Sequence, residues 1–147
     1  MAHSYSRNHI HLVFSTKERR NSIPKVMQPK LWAYIAGICK NYEMIAVAIG
    51  GTENHVHFLF HLSPKISLAK AVQLLKANSS KWVGEQGVDF AWQEGYAAFS
   101  VSSSNLDAAT RYIRNQEAHH RKFSFEDEFR AILKKHCVDY DPQHILG

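Results

Sequence analysis

At 147 residues and 45% hydrophobic composition, the chain is long enough for one domain with a packed core and too short for two. A net charge of +5 and a sequence pI near 9.3 fit a polyanionic partner, since each neutralised phosphate releases counterions, and equally a solvated basic surface. Two cysteines, Cys39 and Cys137, each in an apparently helical segment, fit free thiols better than a disulfide framework, the longest apolar run (Met44 to Ile49) is too short to span a bilayer, and the polar stretch Met1 to Asn8 has no secretion signal; a cytoplasmic protein is expected.

From Asn8 to Ser15 the sequence alternates, with Ile10, Leu12 and Phe14 on one side and His9, His11 and Val13 on the other, which predicts a strand. After a basic turn containing Lys17 and Arg19, Leu31, Ile35 and Ile38 recur at helical spacing within Lys25 to Tyr42. Two strands follow, Met44 to Ile49 and Asn54 to Leu62, joined at Gly50 and Gly51. Beyond Pro64, Ile66, Ala69, Val72 and Leu75 mark an amphipathic helix with Lys70, Lys76 and Lys81 off its apolar stripe. Tyr96 to Ser102 reads as a fourth strand, Leu106 to Arg121 as a third helix, and a last helix starts at the cluster Ser124, Glu126 and Asp127 and runs through Phe129, Ile132 and Leu133.

Strand, helix, strand, strand, helix, strand is the order of a ferredoxin-like (RRM-like) α+β unit. The expectation is one antiparallel sheet whose first two helices cover one face, with extra C-terminal helices. Residues 8–103 form the core of a single domain spanning 1–147, 105–121 a helix carrying Tyr112, and 124–136 a terminal helix. Ile10, Leu12 and Phe14, with Val56, Phe58, Phe60 and Leu62, form the core face, and histidines occupy the opposite face, which the first two helices leave free.

Within Asn54-His55-Val56-His57-Phe58, the two-residue period of a strand puts His55 and His57 on one side, about 6 to 7 Å apart along the chain. Two imidazoles so placed can share a cation. With ten histidines in the chain, about 0.7 such pairs arise by chance, and His9 with His11 is another. Partly exposed histidines satisfied by water are therefore the competing explanation. In the third helix Tyr112 and Gln116 lie four apart, hence on one face, with Arg111 and Arg114 nearby; taken by itself, that spacing favours a partly buried structural tyrosine and a solvated glutamine.

Three segments together are more specific: His11-Leu12-Val13-Phe14-Ser15-Thr16-Lys17, Gly50-Gly51-Thr52-Glu53-Asn54-His55-Val56-His57-Phe58-Leu59, and Tyr112-Ile113-Arg114-Asn115-Gln116. In this combination the chain resembles the single-tyrosine HUH transposases of small insertion sequences that move as single-stranded DNA, and the REP-associated tyrosine transposases. The likeness runs from about His9 to Phe129 and includes His119-His120-Arg121-Lys122 and Ser124-Phe125.

That resemblance implies His55, His57 and Gln116 as ligands of Mg²⁺ or Mn²⁺, and Tyr112 as the nucleophile. It implies metal-dependent cleavage and rejoining of single-stranded DNA at hairpin or palindromic ends through a 5′-phosphotyrosine, in a homodimer. Two imidazoles suit Mn²⁺ better than Mg²⁺, so Mg²⁺ is expected as the cellular ion and Mn²⁺ as the tighter binder. His11, Lys17, Arg19, Lys70, Lys76, Lys81, Arg111 and Arg114 are candidate DNA contacts. Two rivals remain. One is a non-catalytic single-stranded nucleic-acid-binding module, whose free sheet face should carry aromatics instead of histidines. The other is a metal-dependent phosphodiesterase that uses water, with Tyr112 structural.

Overall fold

The computed structural model describes residues 4–143 and residue 145, so the first three residues of the polar N-terminal stretch lie outside it. The elements are β1 (His9–Ser15), α1 (Gln28–Lys40), β2 (Ile45–Gly51), β3 (His55–His61), α2 (Leu68–Glu85), β4 (Ala97–Val101), α3 (Leu106–Arg114), α4 (Gln116–His119) and α5 (Phe125–Lys135). The strands form one antiparallel sheet in the order β2-β3-β1-β4, the α+β arrangement expected from the element order.

Alternation along β1 and β3 gives the sheet two distinct faces. Ile10, Leu12, Phe14, Val56, Phe58 and Phe60 point to one of them and pack with Leu31 and Ile35 of α1 and with Val72 and Leu75 of α2 in the main core. Ser67 caps α2, its hydroxyl accepting from the Lys70 N–H at 3.1 Å. Among the described residues no helix is long and apolar enough to cross a membrane.

The second face is not left free. Val13, Ala97 and Phe99 pack with Phe125, Phe129 and Leu133 of α5, while Ala48 and Leu59 pack with Ile113 of α3. The C-terminal helices thus close over the histidine side, because enough aliphatic residues share that face to pack against. Gly50 and Gly51 also do other than expected: both lie inside β2, and the chain turns at Thr52 to Asn54. An ideal Cβ on Gly50 would come 2.2 Å from the Ile113 carbonyl oxygen, so this glycine lets α3 lie directly on the sheet.

The expected single helix from 106 to 121 is broken at Asn115, whose φ of −98° and ψ of 20° leave the helical range before the chain resumes as α4. The last helix starts as expected: Ser124 caps α5 by accepting from the Asp127 N–H at 3.1 Å.

A Gly50→Ala variant should lose about 1–3 kcal/mol, because a backbone carbonyl cannot yield as a side chain does. Urea unfolding would check this, with loss of the near-ultraviolet signal of Tyr112 as α3 lifts; full retention of stability would refute the close approach.

Candidate metal and nucleophile site

His55 and His57 point from β3 to the covered face and are both fully buried. Each ring is fixed from behind. His55 Nδ1 lies 2.8 Å from Asn54 Oδ1 and 3.0 Å from Thr52 Oγ1, and His57 Nδ1 lies 2.8 Å from Nε2 of His11. His11 is opposite Leu59 in the β1–β3 register and reaches His57 diagonally across the strands. Backing of this kind orients an imidazole and leaves its other nitrogen for a ligand.

The outward nitrogens of both rings converge on α4 and α5. His55 Nε2 is 3.0 Å from Gln116 Oε1, and His57 Nε2 is 2.8 Å from Glu128 Oε1. His120 Nε2 joins them, 2.9 Å from Gln116 Oε1 and 3.1 Å from Glu128 Oε1. On its second oxygen Glu128 accepts from Gln116 Nε2 at 3.0 Å and from the Tyr112 hydroxyl in a short hydrogen bond. Tyr112 and His57 have ring centroids 5.7 Å apart within the same chain. Tyrosine, glutamine and the β3 histidine pair, far apart in sequence, thus meet at one carboxylate.

Glu128 and His120 are the members that sequence reading passed over. Glu128 carried a signal: Phe125, Phe129 and Leu133 form the buried stripe of α5, and Glu128 falls on that stripe at helical spacing. A carboxylate there is a poor solvated residue and a good site residue. His120 follows α4 directly and carried no such pattern.

Burial governs the protonation states. It pushes the His55 and His11 imidazoles down to about 3, helped in each by repulsion from His57. Burial also opposes the Glu128 charge, yet hydrogen bonds from His120 and His57 outweigh it and hold the carboxyl far below its ordinary range. For His120 burial pulls downward, but the hydrogen bond and charge of Glu128 prevail and raise it. Burial, followed by the adjacent Glu128 charge, pushes the Tyr112 phenol well above its ordinary 10.0.

His55, His57, His120 and Glu128 offer one donor atom each, all within 4.8 Å of one another. Nitrogen-rich donors with one carboxylate fit a divalent ion of the Mn²⁺ type better than Mg²⁺, and Gln116 Oε1 adds an oxygen donor beside them.

The other residues singled out from sequence are dispersed. Lys17, Arg19, Arg111 and Arg114 are exposed. Lys70 and Lys81 are exposed on α2, which packs on the opposite face of the sheet from the histidine cluster. Lys76 is engaged within the fold. Its amine donates to the carbonyls of Gln93, Glu94 and Gly95 and sits 5.4 Å from the centre of the Phe14 ring, so it ties a loop to the core. His11 is buried behind His57.

The imidazoles and Glu128 make acid the weak flank of the fold. His11 and His55 bind a proton near 6.5 when unfolded but only near 3 when folded, so their contribution is complete above 6.5 and is lost as pH falls towards 3. Glu128, held low when folded, likewise contributes above its ordinary 4.5 and loses that contribution on acidification. His120 has the opposite sign, its contribution being complete below 6.5 and lost as pH rises through its raised value. The urea midpoint should therefore fall steeply from pH 6.5 to 4, and Mn²⁺ should raise it at pH 7 but not at pH 4.5. A midpoint flat over that acid range would contradict neutral buried imidazoles.

Comparison with known proteins agrees with this architecture. Residues 4–116 match the sequence profile of the IS200-like transposases. Among curated proteins no sequence match is found. A solved candidate transposase from Deinococcus radiodurans R1 superposes with a TM-score of 0.61 at 21% identity, covering 79% of this chain and 96% of its own. A REP-associated tyrosine transposase solved with a REP hairpin gives a TM-score of 0.61 at 13% identity, covering 82% of this chain and 73% of its own. Both share the fold. Since the profile runs through β1, the β3 histidine pair, Tyr112 and Gln116 and takes in most of the 147 residues, this chain belongs to the family of IS200-like transposases.

Proposed function

We propose that this transposase cuts and rejoins single-stranded DNA at hairpin-bearing ends through a phosphotyrosine on Tyr112, using a divalent ion held by His55, His57 and Gln116, with His120 and Glu128 completing the set. The observation that carries this is the meeting of a phenol hydroxyl and the outward nitrogen of His57 on the two oxygens of one buried carboxylate.

In this reading the Tyr112 oxygen bonds to a DNA phosphorus as its proton is lost to solvent, the bond to the 3′ oxygen breaks, and that oxygen takes a proton from water, leaving a 5′-phosphotyrosine and a free 3′-hydroxyl. A second 3′-hydroxyl reverses the step, and no nucleotide cofactor is consumed. The Tyr112 hydroxyl donates to Glu128 Oε2, which orients the phenol; a carboxylate held so far below its ordinary range is a weak base, so its role here is to position the nucleophile. Gln116 Nε2 donates to that same oxygen, fixing the carboxylate while the phenol turns to the phosphate. The bound cation supplies charge to offset the phosphate and the leaving oxygen. His11 and Asn54 hold the two β3 rings from behind.

Binding to bases across an open sheet is disfavoured, because α3, α4 and α5 cover the face such a module would use. The family's hairpin substrates and homodimer extend to this chain by resemblance. The single domain over residues 1–147 and the cytoplasmic setting rest on length, composition and the lack of a long apolar run.

The test mixes protein, labelled single-stranded hairpin DNA and Mn²⁺, and looks for a protein-linked strand on a denaturing gel. Tyr112→Phe should abolish the adduct and keep DNA binding. His57→Ala should lose metal-dependent cutting, and Glu128→Gln should slow cutting about tenfold or more, because it removes a charged ligand and the acceptor that orients the phenol. Cutting by Tyr112→Phe at the normal rate would replace this mechanism with water attack.

A further inference from the structure

A cleft of about 620 Å³ lies between α3 and α5, and its lining includes Tyr112 and Glu128, so it opens directly onto the nucleophile. The chemistry above leaves it unused. Short side chains keep it open: Ala108 and Ala109 line it from α3 and Ala131 from α5. Phe123, in the turn between α4 and α5, also lines it and is 51% exposed, its ring stacked on His119 with centroids 5.1 Å apart and planes at 27°. One exposed aromatic is ordinary on a protein surface. An exposed flat ring on the wall of an apolar cleft beside a nucleophile is a platform. Lys135 adds a positive charge to the same lining.

We propose that this cleft seats one unpaired nucleobase adjoining the phosphate that Tyr112 attacks, with Phe123 as the ring it stacks on. The inference rests on the phosphotyrosine reading. Its chemistry is specific to a single strand. A base has an apolar face and polar edges, which suits a slot with alanine walls, an aromatic platform and a lysine for the flanking phosphate. A paired base is held in its stack and cannot enter between two helices without leaving it. The cleft is large enough for a base with its sugar, and its continuity with Tyr112 places the occupant next to the cut. Phe123 then selects for a base at that position, and the alanines decide how large a base enters. Phe123, Lys135 and Ala131 all lie beyond the family match at residues 4–116, so the C-terminal part of the chain supplies the platform while α3 supplies the opposite wall.

The experiment uses the full chain carrying Tyr112→Phe, which binds without cutting, and a single-stranded hairpin oligonucleotide with 2-aminopurine placed at one flanking position at a time. One position should be quenched severalfold on binding, and Phe123→Ala added to that protein should remove the quench. In parallel, the chain with Tyr112 intact should cut an oligonucleotide abasic at that position about 10–100-fold more slowly than its parent. Phe123→Ala and Ala131→Trp should cut the two about equally while keeping the thermal shift induced by Mn²⁺, which shows an intact fold and cation site. Quenching that survives Phe123→Ala, quenching at no position, or full discrimination by Ala131→Trp would overturn the proposal. Failure to form any adduct would sink the phosphotyrosine reading instead, and the quenching result would still report on the seat.

Discussion

The structure turns on a single buried charge. Glu128 is 4% exposed, and a carboxylate taken out of water costs several kcal/mol unless donors surround it. Its donors come from three elements and a connecting turn: His57 from β3, Tyr112 from α3, Gln116 from α4 and His120 just after α4. Any arrangement that lifted α5 off the sheet, or slid α4 along it, would strand that charge. The same requirement that keeps the carboxylate partnered therefore assembles a phenol, a glutamine and three imidazoles around it.

The apolar contacts near the site act in the same direction. Phe125 stacks on the His55 ring with centroids 4.2 Å apart, and Phe129, Leu133, Val13 and Phe99 form a small second core beneath α5. Ile113, Ala48 and Leu59 do the same under α3, where Gly50 removes the side chain that would hold the helix away. Each cluster is small beside the main core on the other face. The helices over the histidines are thus held by modest hydrophobic patches and a dense polar network together. Between α3 and α5 the alanines leave space instead of contact.

Electrostatically the site combines His11 and His55, held neutral by burial, with His120, raised by its carboxylate partner, and one carboxylate held ionised by its donors. Neutral imidazoles are the ligand form, and an ionised carboxylate is both ligand and hydrogen-bond acceptor. The cost falls on the phenol, whose ionisation is opposed by burial and by its carboxylate neighbour. A divalent ion would complement such a site.

By itself the sequence determined the sheet, because alternation of Ile10, Leu12 and Phe14 against His9, His11 and Val13 depends only on the two-residue period of a strand. The same period placed His55 and His57 on one side; helical spacing anticipated Tyr112 beside Gln116, but the helix breaks between them and it is Glu128 that brings the two together. Local rules did not carry as far as Asn115, where the helix breaks, or the glycine pair, whose task is to admit α3. Which face α5 would cover, that Glu128 would end between His57 and Tyr112, and that Lys76 would bind three carbonyls were settled only by tertiary structure. These depend on partners tens of residues away, and periodicity within a segment carries no information about them. A buried charge takes its meaning from the groups that surround it, and only the folded chain brings those groups together.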